Sequence, residues 1–304
     1  MNPKQMTHRQ TMVWLAAAAA APLVKTASGC SWPVVLVVGS VTLFLSWWLT
    51  KYTAELKAWL VILQGLWASA VISEMLWWIG DCWPGHNSVK AAPLILLTLA
   101  AWAASGGKER TARIGCVLVW PIGFLLGAVL LSSSPEVRLE NLLPSWQMRD
   151  AGLIPVLLFL ALYGRREAET TCGVYIGLLS LAVLTAAVTA GVLSPGVSGS
   201  TELAVYELAR SIPILGVGGR FESMIAVGMT MGYWAAIGYL LSIPKEIENR
   251  SRMIWAYAAL SGVMFAMDLR IDSRVLAIGS ILFWVVLPAL CGVKNIFQKP
   301  PKTA

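Results

Sequence analysis

Charge is scarce in this chain. Of its 304 residues only 13% are Asp, Glu, Lys or Arg, roughly half the share usual in soluble domains, and this excludes an ordinary solvated globule. Histidine is nearly missing: His8 and His86 are the only two, and neither belongs to an HExxH sequence. Neither a Walker A loop nor a GxSxG elbow occurs, so the phosphate cradle and the activated serine that those motifs supply are absent. The five cysteines, at 30, 82, 116, 172 and 291, form no CxxC pair and no spacing with histidine that a metal would use. They read as small apolar packers, with Cys30 and Cys82 expected on the same side of a membrane. No catalytic residue, metal or cofactor is expected.

What fills the chain is apolar. Hydrophobic residues make up 57% of it, and the mean hydropathy is +0.69. Charges interrupt this background about every 15 to 23 residues, close to the length a helix needs to cross hydrocarbon. The uncharged runs predict helices near 10–24, 33–50, 58–80, 91–106 and 114–133, then 151–164, 172–193, 222–244, 253–267 and 275–293. The expectation is one all-α, polytopic membrane domain over residues 1–304, with ten spans, five in each half (about 10–133 and 151–293).

The net charge of +7 comes from basic residues scattered through short loops. They form no stripe interleaved with aromatics, so nucleic acid is not an expected partner. With the N-terminus inside, Lys51, Lys57, Lys108, Arg110, Arg165 and Arg166 all fall on the cytoplasmic side, as the positive-inside tendency requires. Both termini are then cytoplasmic. Tryptophans agree, because Trp47, Trp48 and Trp59 flank an inner loop while Trp32, Trp77, Trp78 and Trp83 lie toward the outside. Lys4, Arg9, the run 11–24 and Ala27-Ser28-Gly29-Cys30 also resemble a lipoprotein signal, but Lys25 interrupts that pattern and nine further spans follow. The segment reads as a first membrane helix.

The first uncharged run of each half is short: 10–24 contains Pro22, and 151–164 contains Gly152 and Pro155. Short, broken helices at matching places in two repeats mark the midplane site of many transporters, although tilt or a thin span also shortens a run. The alanine run Ala16 to Ala21 is expected to serve close helix packing. Glu74 is the one carboxylate well inside a span, and Trp67, Glu74 and Asp81 recur every seven residues on one helical face. An intramembrane carboxylate is a functional candidate by default, unless it merely hydrogen-bonds another helix. The candidate cavity residues are Glu74, Trp67, Trp77, Gly152, Pro155 and Trp234.

The outer loop before the eighth span reads YELARSIPILGVGGRFESM over 206–224. It predicts a short helix near 202–212 with Glu207 and Arg210 paired at i and i+3. Tyr206, Glu207, Arg210, Arg220 and Glu222 are the candidates for bracing or gating this loop.

Tyr206-Glu207-Leu208 with Arg210-Ser211-Ile212 is similar to the YELxRSI element of the B subunits of spore germinant receptors (GerAB-like), members of the amino acid/polyamine/organocation (APC) transporter superfamily. Arg220 and Glu222 resemble that family's charged entry to helix eight, Asn141 to Pro144 its NLLP element, and Asn2 to Gln5 its SPRQ-type start. The resemblance spans essentially the whole chain. It implies a five-plus-five inverted-repeat, LeuT-like fold and a small-molecule germinant, commonly an amino acid, held near helices one, three, six and eight. It also implies A and C receptor subunits as partners in the spore inner membrane. Helix six departs from the family pattern, reading AGLIPVLLFLALYG where a glycine-centred break with a following acid is usual. Two alternatives therefore stand beside a sensing subunit: an autonomous amino acid permease and a non-sensing structural subunit.

Overall fold

The computed structural model describes residues 8–52, 58–83, 90–143, 168–201, 203–211, 221–242, 250–288 and 290. Gly152, Pro155 and Arg220 lie outside the described residues, as does the expected sixth span.

Every expected span within the described residues is helical. The long helices are α1 (His8–Ser28), α2 (Trp32–Tyr52), α3 (Ala58–Asp81), α4 (Ala91–Ser105) and α5 (Lys108–Ser133) in the first half. The second half has α6 (Ala168–Leu193), the short α7 (Pro195–Ser200) and α8 (Ala204–Ser211), then α9 (Phe221–Leu241), α10 (Arg250–Ala266) and α11 (Ser273–Ile281). Helix α11 runs on into a π turn over Leu282–Val286. Among the described residues, four helices are long and apolar enough to cross a membrane by length and composition: Trp59–Asp81, Glu109–Glu136, Gly173–Leu193 and Glu222–Leu241. Shorter apolar helices occupy Met12–Ser28, Trp32–Thr42, Ala91–Ser105 and Arg274–Trp284.

Helix α1 is the centre of the bundle, enclosed by α5, α6 and α9. Ala17 to Ala21 are all buried, as are Trp14, Leu15 and Leu23. Small side chains let the backbones meet: a methyl group on Gly232 of α9 would collide with Ala21, and one on Gly115 of α5 with Trp14. Without a hydrophobic drive between helices in lipid, such close van der Waals contact is what holds them together. The alanine run is therefore a packing surface.

The break expected at Pro22 is absent, and α1 is one continuous helix of 21 residues. Proline removes one backbone donor and crowds the preceding turn. Here the turn after it is strengthened by side chains, since Thr26 Oγ1 donates to the carbonyls of Pro22 (3.0 Å) and Leu23 (3.1 Å), and Ser28 Oγ to that of Lys25 (2.8 Å). The helix outlasts its uncharged run because Lys25 lies inside its last turn. A cation there faces the negative end of the helix dipole.

At the opposite extreme α5 turns much of its surface outward. Trp120 is 79% exposed and Phe124 70%, an apolar face suited to lipid chains. Helices α3, α4 and α10 pack beside α9, and α2 packs on α6. The loops that the charge pattern places outside meet at one end of the bundle. There Trp32 Nε1 donates to the Leu142 carbonyl (3.0 Å) and Trp83 Nε1 to Thr230 Oγ1 (3.1 Å). The Asn141 amide and the Arg138 backbone N–H share the Gly191 carbonyl at 3.0 and 3.1 Å. Gly191 eases this approach, because a side-chain carbon there would press on the Val137 side chain and displace it.

Candidate functional site

Heptad spacing on α3 aims Trp67, Glu74 and Asp81 at one neighbour, and that neighbour is the chain from Arg270 to Phe283. Asp81 lies 3.8 Å from Arg270. Glu74, one heptad deeper and only half-buried, has Arg270 and Lys25 as its cationic neighbours and the Ile271 backbone N–H within reach of its carboxylate. Trp67 Nε1 donates to Ser280 Oγ at 2.7 Å, and its ring stacks on Phe283 with centroids 5.2 Å apart. The stripe expected to line a cavity is thus real as a face, and at Trp67 it is closed by α11. Trp67 packs; Glu74 faces charge.

Around Glu74 the walls are aromatic and the charges alternate. Lys25 sits over the Trp78 ring, 4.3 Å from its centroid, although only 9% of the residue is exposed. Arg270 covers the Trp77 ring at 4.4 Å, and Phe265 meets that ring edge-on at 4.8 Å. Lys90 stands 5.6 Å from the same ring and pairs with Asp268 at 2.5 Å. Cation–π contacts of this kind strengthen where water is excluded. Tyr233 of α9 is fully buried against Trp78, ring centroids 5.6 Å apart. Three side chains here, Ser73 Oγ, Trp77 Nε1 and Tyr233 OH, are buried with no hydrogen-bond partner among the described residues. Buried polar atoms left this way are costly, so they mark places where water or a bound molecule would be stabilised.

In the YELARSI segment Arg210 has two acidic neighbours, the expected Glu207 and a second from the next helix. Glu207 and Arg210 pair at 3.8 Å, but Arg210 lies nearer Glu222, at 3.4 Å. Since Glu222 opens α9, the contact ties α8 to the first turn of a long helix. Helix α8 buries Ala204, Val205, Leu208 and Ala209 and leaves Arg210 outward. Tyr206 stands beside Glu222, and burial first, then the Glu222 carboxylate, raise its phenol above the usual range. Cys82, just beyond the end of α3, is buried, and that burial, with Asp81 next to it, pushes its thiol up to about 12. Cys82 and Cys30 are not joined by a disulfide.

The sequence-predicted residues therefore separate. Glu74 and Trp77 join one cluster, and Tyr206, Glu207, Arg210 and Glu222 form a second over α8 and α9. Trp67 and Trp234 are part-buried packing residues outside both. Lys25, Trp78, Tyr233 and Arg270 complete the first cluster and were not singled out from sequence. For Lys25 a signal existed: it is a cation that an otherwise apolar helix keeps.

Against known structures, the chain is similar to MhsT, whose crystal structure in complex with L-phenylalanine aligns over 98% of this chain and 90% of that one, with a TM-score of 0.61 and 14% identity. The chain has a LeuT-like transporter fold. No family model and no curated protein sequence matches it. At this identity the LeuT-like likeness covers architecture alone. Together with the apolar helices it makes the chain a multi-pass membrane protein of transporter-like build.

Proposed function

We propose that the chain is a nutrient-recognising membrane subunit that responds to its ligand rather than carrying it through, in the manner that the germinant-receptor resemblance implies. The observation that carries this is the cluster of Glu74, Lys25 and Arg270 between Trp77 and Trp78 at one end of a LeuT-like bundle. Opposite charges beside aromatic faces and unpartnered hydroxyls suit a small zwitterion, and free amino acids are the class to test first. Transporters of this architecture bind substrate where helices are discontinuous. Helix α1 is intact through Pro22, which favours sensing over passage.

The test is binding of an amino acid panel to the purified chain in nanodiscs, read by calorimetry. Glu74→Gln should weaken any ligand at least tenfold, about 1.4 kcal/mol. Unchanged affinity would remove Glu74 from the site. A permease is the second reading, favoured by the fold shared with MhsT, and counterflow of an amino acid by the chain alone in liposomes would establish it. Co-purification with A and C receptor subunits would support the receptor, and assembly with no ligand response would support a structural subunit.

A further inference from the structure

Helix α11 contains one residue more than an α-helix of its length would hold. The π turn at Leu282–Val286 is that surplus, and single π turns inside α-helices concentrate at functional places. It is gripped from α3. Gln64, fully buried, donates from Nε2 to the Phe283 carbonyl at 3.2 Å, a carbonyl that lies within the widened turn. One turn further along α3, Trp67 holds Ser280 and stacks on Phe283, and Gly279 is bare where the Trp67 ring lies against it. Beyond the other end of α11, Arg270 and Ile271 meet Asp81 and Glu74. A single face of α3 thus holds both the surplus residue and the chain that covers the candidate site.

We propose that α11 is a register switch. If the π turn relaxes to α-helix, the part of α11 before it turns by about 100° and shifts by about 1.5 Å, one residue's worth of helix. Arg270 then leaves Asp81 and the Trp77 ring, Ile271 leaves Glu74, and the end of the bundle that holds the cluster opens. The grip of Gln64 and Trp67 sets the balance between the two registers. The inference rests on the reading above only for its purpose, control of access to that cluster; the change of register is measurable without ligand.

The experiment uses the full chain in nanodiscs, its five cysteines replaced, with nitroxide labels on Gly80→Cys and Val275→Cys. Position 80 has open space for a side chain and Val275 is exposed. A side chain carried about 5 to 6 Å from the helix axis moves about 8 Å in a 100° turn, so pulsed electron spin resonance should resolve two distance populations. Deleting Val286 removes the surplus residue while leaving both flanks in their present contacts, and should leave a single population, the one in which Arg270 lies beside Asp81. Gln64→Leu, which frees the Phe283 carbonyl, should raise the other population at least threefold. Two populations surviving the deletion, or a distribution that Gln64→Leu leaves unchanged, would overturn the switch. Should the deletion chain not fold, Gln64→Leu decides alone. Two populations indifferent to every amino acid would uphold the switch and remove the ligand reading; amino acid binding with a single population would do the reverse.

Discussion

A close approach between two long helices offers the sharpest test of the packing. Gly232 of α9 faces Ala21 of α1 so tightly that a methyl group added at 232 would overlap the Ala21 methyl and stand 3.4 Å from the Ala21 Cα and N. Neither alanine has a rotamer with which to move aside, and α1 is enclosed by α5 and α6 as well. Gly232→Ala should therefore strain the interface by about 1 to 3 kcal/mol, offset by the roughly 1 kcal/mol that alanine gains over glycine in a helix. A net destabilisation of up to about 2 kcal/mol is expected. Ala21→Gly alone removes a buried methyl, about 0.8 kcal/mol, and adds about 1 kcal/mol of helix cost. In the double variant the overlap disappears, so the combined loss should fall short of the sum by the strain itself, about 1 to 3 kcal/mol. Reversible unfolding in mixed micelles measures all four corners of this cycle. Additivity within about 0.5 kcal/mol is the behaviour of residues that do not touch, and it would refute the contact and α1's central place.

Three further outcomes are expected. The Cys82 thiol, raised from the usual 9.0 to about 12 by burial, should resist alkylation at pH 8 in the folded chain. Its neutral form contributes stability that is complete below pH 9 and is lost as pH climbs toward 12; alkylation at the rate of an unfolded control would contradict this. Tyr206 should titrate above 10 by ultraviolet absorbance, and Glu222→Gln should bring its midpoint down without restoring the ordinary value, since burial is the larger cause. Arg210→Ala should cost no more than about 1 kcal/mol of global stability, because the guanidinium is 65% exposed. It should nevertheless raise amide exchange in 204–211, and unchanged exchange would leave Arg210 no role as a brace.

Much of the architecture could be read directly, because in a chain this apolar each charge marks the edge of a helix. Lys51 and Lys108 lie at helix ends, and loops assigned to one side gather at one end of the bundle. The same rule failed at Lys25. A charge ends a membrane helix only if lipid is what surrounds it, and Lys25 is surrounded by protein. Glu74 was legible as an intramembrane carboxylate, and its heptad with Trp67 and Asp81 as a face. The partner of that face was not, since nothing local to α3 points nearly 200 residues ahead to Arg270, Ile271 and Ser280. The π turn had one local signal, Pro288, which has no N–H to donate to the Trp284 carbonyl four residues earlier; the grip of Gln64 on the Phe283 carbonyl comes from another helix and had none. Arg210 shows the limit in miniature, its local partner Glu207 predicted and its nearer one, Glu222, supplied by the fold.

Lys25 also bears on how the molecule sits in a bilayer. A lysine near the end of a membrane helix ordinarily reaches for the headgroups and so sets the depth of its helix from the lipid surface. This one is spent on the Trp78 ring instead. The level of α1 is then an internal coordinate of the protein, measured against α3 rather than against the membrane. Lipids of different thickness would tilt or stretch the outward-facing helices, α5 first, while the central helix and the charges beside it kept their height.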